Sequence, residues 1–336
     1  MESTFPAAIT YIDGIKVTSQ DKNAGGFYDS LNKEQYDALQ KWKEELQSKN
    51  IISDFQTYDD LYLLRFLRAR KFDLEKTTIM FQKFLKWRID EHVDEIRTSF
   101  DFNEILEVKK IYPHGYHKVD KIGRPIYIEL LSKLDVGKLF KVTTEERMVK
   151  YYVREYERLM KWRFPGCSAA MKKPIEQSLT ILDCNGLGVT SLVGKTRSFV
   201  QLATNIAQDY YPEMLGQMML LNTGWLFKAL WAIVKGFMDP KTAGKIHMLG
   251  GSYITELLKY IDENNIPECI NGKCKCEFIE GGCLYSDIGP WNPNGGIQVG
   301  NTNTNTGLRS VNDVTFESLD HEEVGVTYYD EADYVL

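Results

Sequence analysis

Apolar residues recur at helical spacing through the first third of the chain. Residues 32–49 set Tyr36, Leu39, Trp42 and Leu46 on one stripe, which predicts an amphipathic helix. Thr57-x-x-Asp60 has the form of a capping box ahead of LYLLRFLRARK. Arg68, Arg70 and Lys71 at the end of that run suit a helix C-terminal dipole. Asp73 is placed to cap a further helix carrying Leu74, Met80, Phe81, Phe84 and Trp87, and a shorter helix over 103–111 stops at Pro113. Residues 1–30, with Asn23-Ala24-Gly25-Gly26, are expected to be irregular.

The period then changes. Residues 114–119 and 125–131 read as two strands around the turn Asp120-Lys121-Ile122-Gly123. Thr143-x-x-Glu146 reads as the capping box of a long helix over 144–163. Strands over 176–183, 217–222 and 245–249 alternate with helices over 191–210, 225–238 and 253–261. Such alternation predicts an α/β fold with a mainly parallel sheet. The helix over 225–238 is apolar almost all the way round, with only Lys228 and Lys235 charged. At about 1.5 Å per residue it is roughly 21 Å long, short of the ~30 Å that a membrane span needs. It fits either a plain core helix or the wall of an apolar pocket, because Asp239-Pro240-Lys241-Thr242-Ala243-Gly244-Lys245 follows it as a polar turn.

Charge sharpens the boundaries. The chain has 336 residues and a net charge of −6. Residues 292–336 hold eight acidic residues against Arg309, and they open on the low-complexity run NPNGGIQVGNTNTNTG. The rest is close to neutral, so nucleic acid is not an expected partner. Four segments are expected: an irregular 1–30, a helical lobe over 31–112, an α/β domain over 113–291 and an acidic tail over 292–336. The N-terminus lacks the basic and apolar regions of a signal peptide. A cytosolic chain with reduced thiols is the expectation for its six cysteines.

Candidate chemistry is sparse. Gly186-x-Gly188 follows a strand, but Ser191 stands where a dinucleotide fingerprint needs its third glycine. A nicotinamide-dependent oxidoreductase is therefore disfavoured. None of His114, His117 and His247 has a spacing that ties it to a nucleophile or metal. Cys269, Cys274, Cys276 and Cys283 lack the paired Cys-x2-Cys spacing of zinc sites and read as reduced loop thiols, with no metal expected. Ser178 and Thr180 share one strand face, where their hydroxyls are either internally satisfied or reserved for a polar ligand. Glu213, Thr242 and Lys245 offer an acceptor and two donors suited to a polyhydroxyl phosphate, although each alone also fits an ordinary surface contact.

Several stretches together resemble the CRAL-TRIO lipid-binding family, closest to its fungal-type secretory phosphatidylinositol/phosphatidylcholine transfer branch. They are LLRFLRARKFD (63–73), FLKWR (84–88), YHKVDKIGRPIY (116–127), VTTEERMVKYYVREYE (142–157), QDYYPE (208–213), FMDPKTAGKI (237–246) and GGCLYSDIGPW (281–291). The resemblance covers roughly residues 32–291, and the joint order is more specific than any one motif.

That resemblance implies a helical N-terminal lobe, a lipid-binding domain with a mainly parallel sheet floor, and a mobile gate helix. Gate residues would be Trp225, Phe227, Leu230, Trp231, Val234 and Phe237. It implies an inositol-headgroup set of Arg70, Lys71, Glu213, Thr242 and Lys245, and a choline-headgroup set of Tyr116, Tyr127, Tyr156, Ser178 and Thr180. Aromatic faces suit a quaternary ammonium. Met214, where relatives carry Arg, and Gly236, where they carry Pro, depart from the pattern. The implied function is non-enzymatic binding and transfer of phosphatidylinositol and phosphatidylcholine, with a phospholipid ligand and no cofactor. It further implies a monomer that visits Golgi or endosomal membranes transiently and presents phosphatidylinositol to a lipid kinase in phosphoinositide signalling. The competing expectation is a carrier or sensor for another hydrophobe, sterol-like or tocopherol-like.

Overall fold

The computed structural model describes residues 9–12, 15–18, 25–187, 195–224 and 243–296. The chain divides into two compact units, one of Met1–His92 with Ala207–Met214 and the other of Val93–Ile206 with Leu215–Leu336. The gate-helix residues and Thr242 lie outside the described residues.

In the first unit, helix α1 (Lys33–Ser48) opens on a capping box between Asn32 and Gln35 and buries Tyr36, Leu39, Trp42 and Leu46, the predicted stripe. Helices α2 (Asp60–Ala69) and α3 (Leu74–Asp90) follow. Trp42, Phe66, Phe81 and Phe84 pack as tilted and edge-on aromatic pairs, with the Trp42 indole N–H donating to Thr78 Oγ1 at 2.9 Å. Asp73 caps α3 as expected, accepting from Lys76 N at 3.1 Å. The cap of α2 is Asp59 rather than the predicted Thr57, whose hydroxyl instead donates to Asp54 Oδ2. Asp and Thr are both good caps, and position in the chain does not rank them. Residues 1–30 are not wholly irregular either. Strands β1 (Ile9–Ile12) and β2 (Ile15–Thr18) pair antiparallel, and β3 (Leu31–Asn32) adds in parallel. β-branched residues on both sides of Asp13-Gly14 are a hairpin signal that the loop-like Asn23–Gly26 stretch obscured.

The second unit is built on a five-stranded sheet. Its strands are β4 (His114–Val119), β5 (Pro125–Leu130), β6 (Ser178–Asp183), β7 (Leu215–Leu221) and β8 (Ile246–Met248), in that spatial order. Only β4 runs antiparallel to its neighbour; the rest are parallel, so the expected α/β class and mainly parallel sheet hold. The β4–β5 turn is closed by Asp120, which accepts from Arg124 N at 2.8 Å and pairs with its guanidinium. Gly123 has a φ of +89°, and a Cβ there would meet Met171 at 2.2 Å.

Helices α4 (Val93–Ser99) and α5 (Ile105–Ile111) belong to this unit, not to the helical one; α5 and α6 (Val136–Val142) contribute to a core of Phe102, Ile105, Val108, Leu139, Met148 and Tyr151. The long predicted helix is α7 (Glu145–Arg158), capped by Thr144 instead of Thr143. Thr143 is taken up by Glu104, which its hydroxyl meets at 2.8 Å. A π-helical turn, Leu159–Arg163, joins α7 to α8 (Phe164–Met171). Pro165 lacks the N–H that a regular helix would bond four residues back, which accounts for the widened turn. Arg163, buried there, reaches Glu155 at 2.8 Å and Asp287 at 3.2 Å. Burial pushes the Glu155 carboxyl up, but Arg163, Arg158 and Arg154 outweigh it and hold the group down at about 2. Helix α9 (Lys195–Tyr210) precedes β7, and α10 (Ile254–Tyr260) and α11 (Cys283–Ser286) follow β8. The acidic tail begins later than Asn292, whose N–H still donates to Gly289 O at 2.8 Å.

Candidate functional site

Alternate residues of the sheet make two unlike faces. On one, Ile126, Ile128, Leu179, Ile181, Met219 and Leu221 are buried with Leu257 of α10 and Tyr253 just before it. On the other, strand register aligns Tyr116, Tyr127, Thr180, Met218 and Ile246 in a single row across all five strands. Tyr116 is buried, and the other four are only half-buried. Parallel sheets ordinarily cover both faces. A partly open row in mid-sheet is therefore a surface prepared for something other than solvent.

Tyrosines gather at the β4–β5 end of this row. Glu129 stands two residues beyond Tyr127 and so on the same face. It accepts hydrogen bonds from the hydroxyls of Tyr112 and Tyr127, while burial raises its carboxyl above the ordinary range. Burial, and then the charge of Glu129, push up the phenols of Tyr112, Tyr127 and Tyr156, and Tyr152 responds in the same way. One carboxyl thus sits among four tyrosines. His114 on β4 is paired in register with Glu129. Its Nδ1 donates to Tyr112 O at 2.7 Å and its Nε2 accepts from the Tyr151 hydroxyl at 2.8 Å. Burial, aided by the Lys109 ammonium, lowers His114 to about 3, so it is neutral. Burial lowers Lys109 to about 8, and its ammonium donates to the carbonyls of His114 and Leu284.

Of the choline set, the structure brings Tyr116, Tyr127 and Thr180 into one rung, and Tyr156 into the surroundings of Glu129. Ser178 is buried at the start of β6, where a bulge separates it from the regular pairing with β7. One face of Tyr116 is already occupied, since the Arg163 guanidinium lies 3.9 Å from its ring centroid. Sequence reasoning missed Glu129, Tyr112 and Tyr152. The alternation Tyr127-Ile128-Glu129 was the available signal for the first, because it sets a carboxylate beside a tyrosine on one face.

The inositol set is spread over the two units. Arg70, Lys71 and Glu213 belong to the first, and Lys245 to the second. Arg70 and Lys71 are exposed where α2 ends, and Lys71 and Phe72 both take left-handed backbone, with φ of +53° and +62°. A non-glycine pair of this kind is costly and marks a specially shaped turn. Glu213 is also left-handed, at +58°, and its carbonyl accepts from Arg65 Nη1 at 3.3 Å. Beside it, Trp87 stacks on Tyr210 with centroids 4.0 Å apart. The Lys245 ammonium donates to Leu215 O at 2.7 Å. Met214, one of the two departures from the family pattern, is buried at 5% exposure and packs as core.

No helix among the described residues is long and apolar enough to cross a membrane. A family model described as the CRAL/TRIO domain matches residues 108–272, and one described as the CRAL/TRIO N-terminal domain matches residues 33–83. The chain is 46% identical to phosphatidylinositol/phosphatidylcholine transfer protein SFH7 of Arabidopsis thaliana, over 79% of this chain and 48% of that protein. It is 43% identical to the Sec14 cytosolic factor of Schizosaccharomyces pombe, over 78% of this chain and 89% of that protein. It thus spans about half the length of the Arabidopsis relative and most of the fission-yeast one. The crystal structure of Sfh5 aligns at 18% identity with a TM-score of 0.48, over 69% of this chain and 73% of that one. With the two family models in chain order and a relative matched over nearly its whole length, this chain belongs to the CRAL-TRIO family.

Proposed function

We propose that this chain binds phosphatidylinositol and phosphatidylcholine and exchanges them between membranes. The observation that carries the reading is the half-buried row Tyr116–Tyr127–Thr180–Met218–Ile246, tyrosyl and hydroxylic at one end and apolar at the other. That polarity suits an amphipathic lipid. Tyrosine faces and the Glu129 carboxyl attract a quaternary ammonium. Arabidopsis relatives at more than 40% identity are phosphatidylinositol/phosphatidylcholine transfer proteins, which supports the same two lipids.

The physical task is desolvation. A lipid carried through water exposes its acyl chains at a cost of about 0.8 kcal/mol per CH₂, which an apolar pocket removes. Binding and release are the whole of the proposed chemistry, with no bond cleaved and no cofactor. The headgroup sets are proposed as the family resemblance assigns them: Arg70, Lys71, Glu213, Thr242 and Lys245 for inositol phosphate, and Tyr116, Tyr127, Tyr156, Ser178 and Thr180 for choline. A gate over 225–238, a monomeric state, transient contact with Golgi or endosomal membranes and delivery of phosphatidylinositol to a lipid kinase complete the proposal.

The test is mass spectrometry of lipid extracted from the full chain purified from a eukaryotic host, followed by vesicle-to-vesicle transfer. Both phospholipids at stoichiometric level are expected. Lys245→Ala is expected to abolish phosphatidylinositol transfer and spare phosphatidylcholine, with the reverse for the double change Ser178→Ala, Thr180→Ala. A sterol as the only stoichiometric ligand, or equal loss of both transfers in either variant, sinks the reading.

A further inference from the structure

The four late cysteines are not one group. Cys269 is exposed, whereas Cys274, Cys276 and Cys283 converge with His117, a residue remote in sequence on β4. Close packing brings them together. A Cβ on Gly115 would meet Leu284 O of α11 at 2.5 Å, and Lys118 N donates to Ile288 O at 2.6 Å, so the segment after Ile266 lies tight against β4. The ligand atoms of His117, Cys274, Cys276 and Cys283 all lie within 4.8 Å of one another. The Cys274 and Cys276 sulfurs are 3.8 Å apart, and His117 Nδ1 lies 4.0 Å from Cys276 Sγ. With Zn–S bonds of about 2.3 Å, a regular tetrahedron has S···S edges of about 3.8 Å.

A second observation points to a ligand. His117 is 0% exposed, and its Nε2 has no hydrogen-bond partner among the described residues. Its other nitrogen, Nδ1, lies 3.0 Å from Ser286 Oγ. Ser286 is itself fully buried and gives its proton to Cys283 O at 2.7 Å. The serine oxygen can therefore only accept from Nδ1–H, which fixes the imidazole tautomer and leaves a bare lone pair on Nε2. A buried lone pair without a donor is a cost that a native structure rarely carries.

We propose that His117, Cys274, Cys276 and Cys283 form a closed structural zinc site that clamps residues 267–296 onto β4. Three thiolates and one imidazole are soft donors that select zinc over magnesium or calcium, and four protein ligands leave no open position for catalysis. The reading of these cysteines as loop thiols rested on Cys-x2-Cys spacing. The pair here is Cys-x-Cys, and the fourth ligand comes from a strand.

The experiment is elemental analysis of the full chain, purified under reducing conditions without chelator from zinc-supplemented cells. About one zinc per chain is expected in the wild type and in Cys269→Ser, falling to about a tenth or less in Cys276→Ser. A mercurial thiol reagent titrated into the wild type should release that zinc as it consumes the three clustered thiols, a readout independent of any variant. Metal-stripped protein given Co²⁺ should develop thiolate-to-cobalt charge-transfer bands and the d–d bands of a tetrahedral site. Zinc-free protein whose clustered thiols react at once would overturn the proposal. So would an intact mass lighter by two hydrogens, which marks a disulfide, or stoichiometric iron or copper in place of zinc.

Discussion

The two faces of the five-stranded sheet come from alternate residues of the same strands, yet they obey different rules. One is a sealed layer of Ile, Leu and Met under α10. The other sets tyrosines, a hydroxyl, a carboxyl and a methionine side by side and leaves most of them half-buried. The first face is what a fold needs; the second serves poorly as a core. A buried carboxyl such as Glu129 costs stability, and sparing use of polar groups would have avoided it. The difference teaches where to look for binding, because a sequence that folds by packing alone has no reason to keep the second face.

The comparison can be broken from either side. The largest effect belongs to the sealed face. Ile181→Ala should lower unfolding free energy by about 2–5 kcal/mol, read by denaturant titration, while the ratio of the two transferred lipids stays as in the wild type. A changed ratio would show that the sealed face shares in binding.

The next effect is pH dependence on the open face. His114 has an ordinary value of 6.5 and is held at about 3 in the fold by burial and Lys109. Above 6.5 it is neutral in both states and its contribution is fully present. As pH falls from 6.5 toward 3 the unfolded chain takes up the proton first, and stability declines by up to about 1.4 kcal/mol per pH unit. His114→Gln should flatten that part of the curve, and an unchanged slope would move the acid sensitivity elsewhere.

The smallest effect separates the faces most sharply. Thr180→Ala should change stability by less than about 1 kcal/mol and yet cut phosphatidylcholine transfer. A loss of stability as large as that of Ile181→Ala would mean that the open row is core after all.

Much of this architecture was readable in the chain. Alternation of period two placed β4 to β8 to within a few residues, and the α1 stripe emerged intact, because both depend on local spacing that burial enforces. Caps were misplaced by one or two residues where two suitable side chains stood together, as with Thr143 and Thr144, or Thr57 and Asp59. Short helices such as α4 and α6 show too few turns for a period to emerge. Site residues split along the same line. Tyr116, Tyr127 and Thr180 followed from a resemblance to known proteins, and their common rung became visible only with strand register. His117 could not be matched to the cysteines at all, because spacing along a chain says nothing about a partner that packing delivers from another strand.

The Arg163 clamp has a consequence for the making of the protein. A ribosome delivers Glu155 and Arg163 early and Asp287 only 124 positions after the arginine. Until then the guanidinium, 1% exposed in the finished fold, has lost half of its counter-charge. Removing one partner of a buried ion pair costs about 3–5 kcal/mol, so the nascent sheet domain is held open to water at the π-helical turn. Completion of the domain therefore waits on translation of its far end. A chain ending before Asp287 would leave Arg163 with Glu155 as its remaining carboxylate of the clamp.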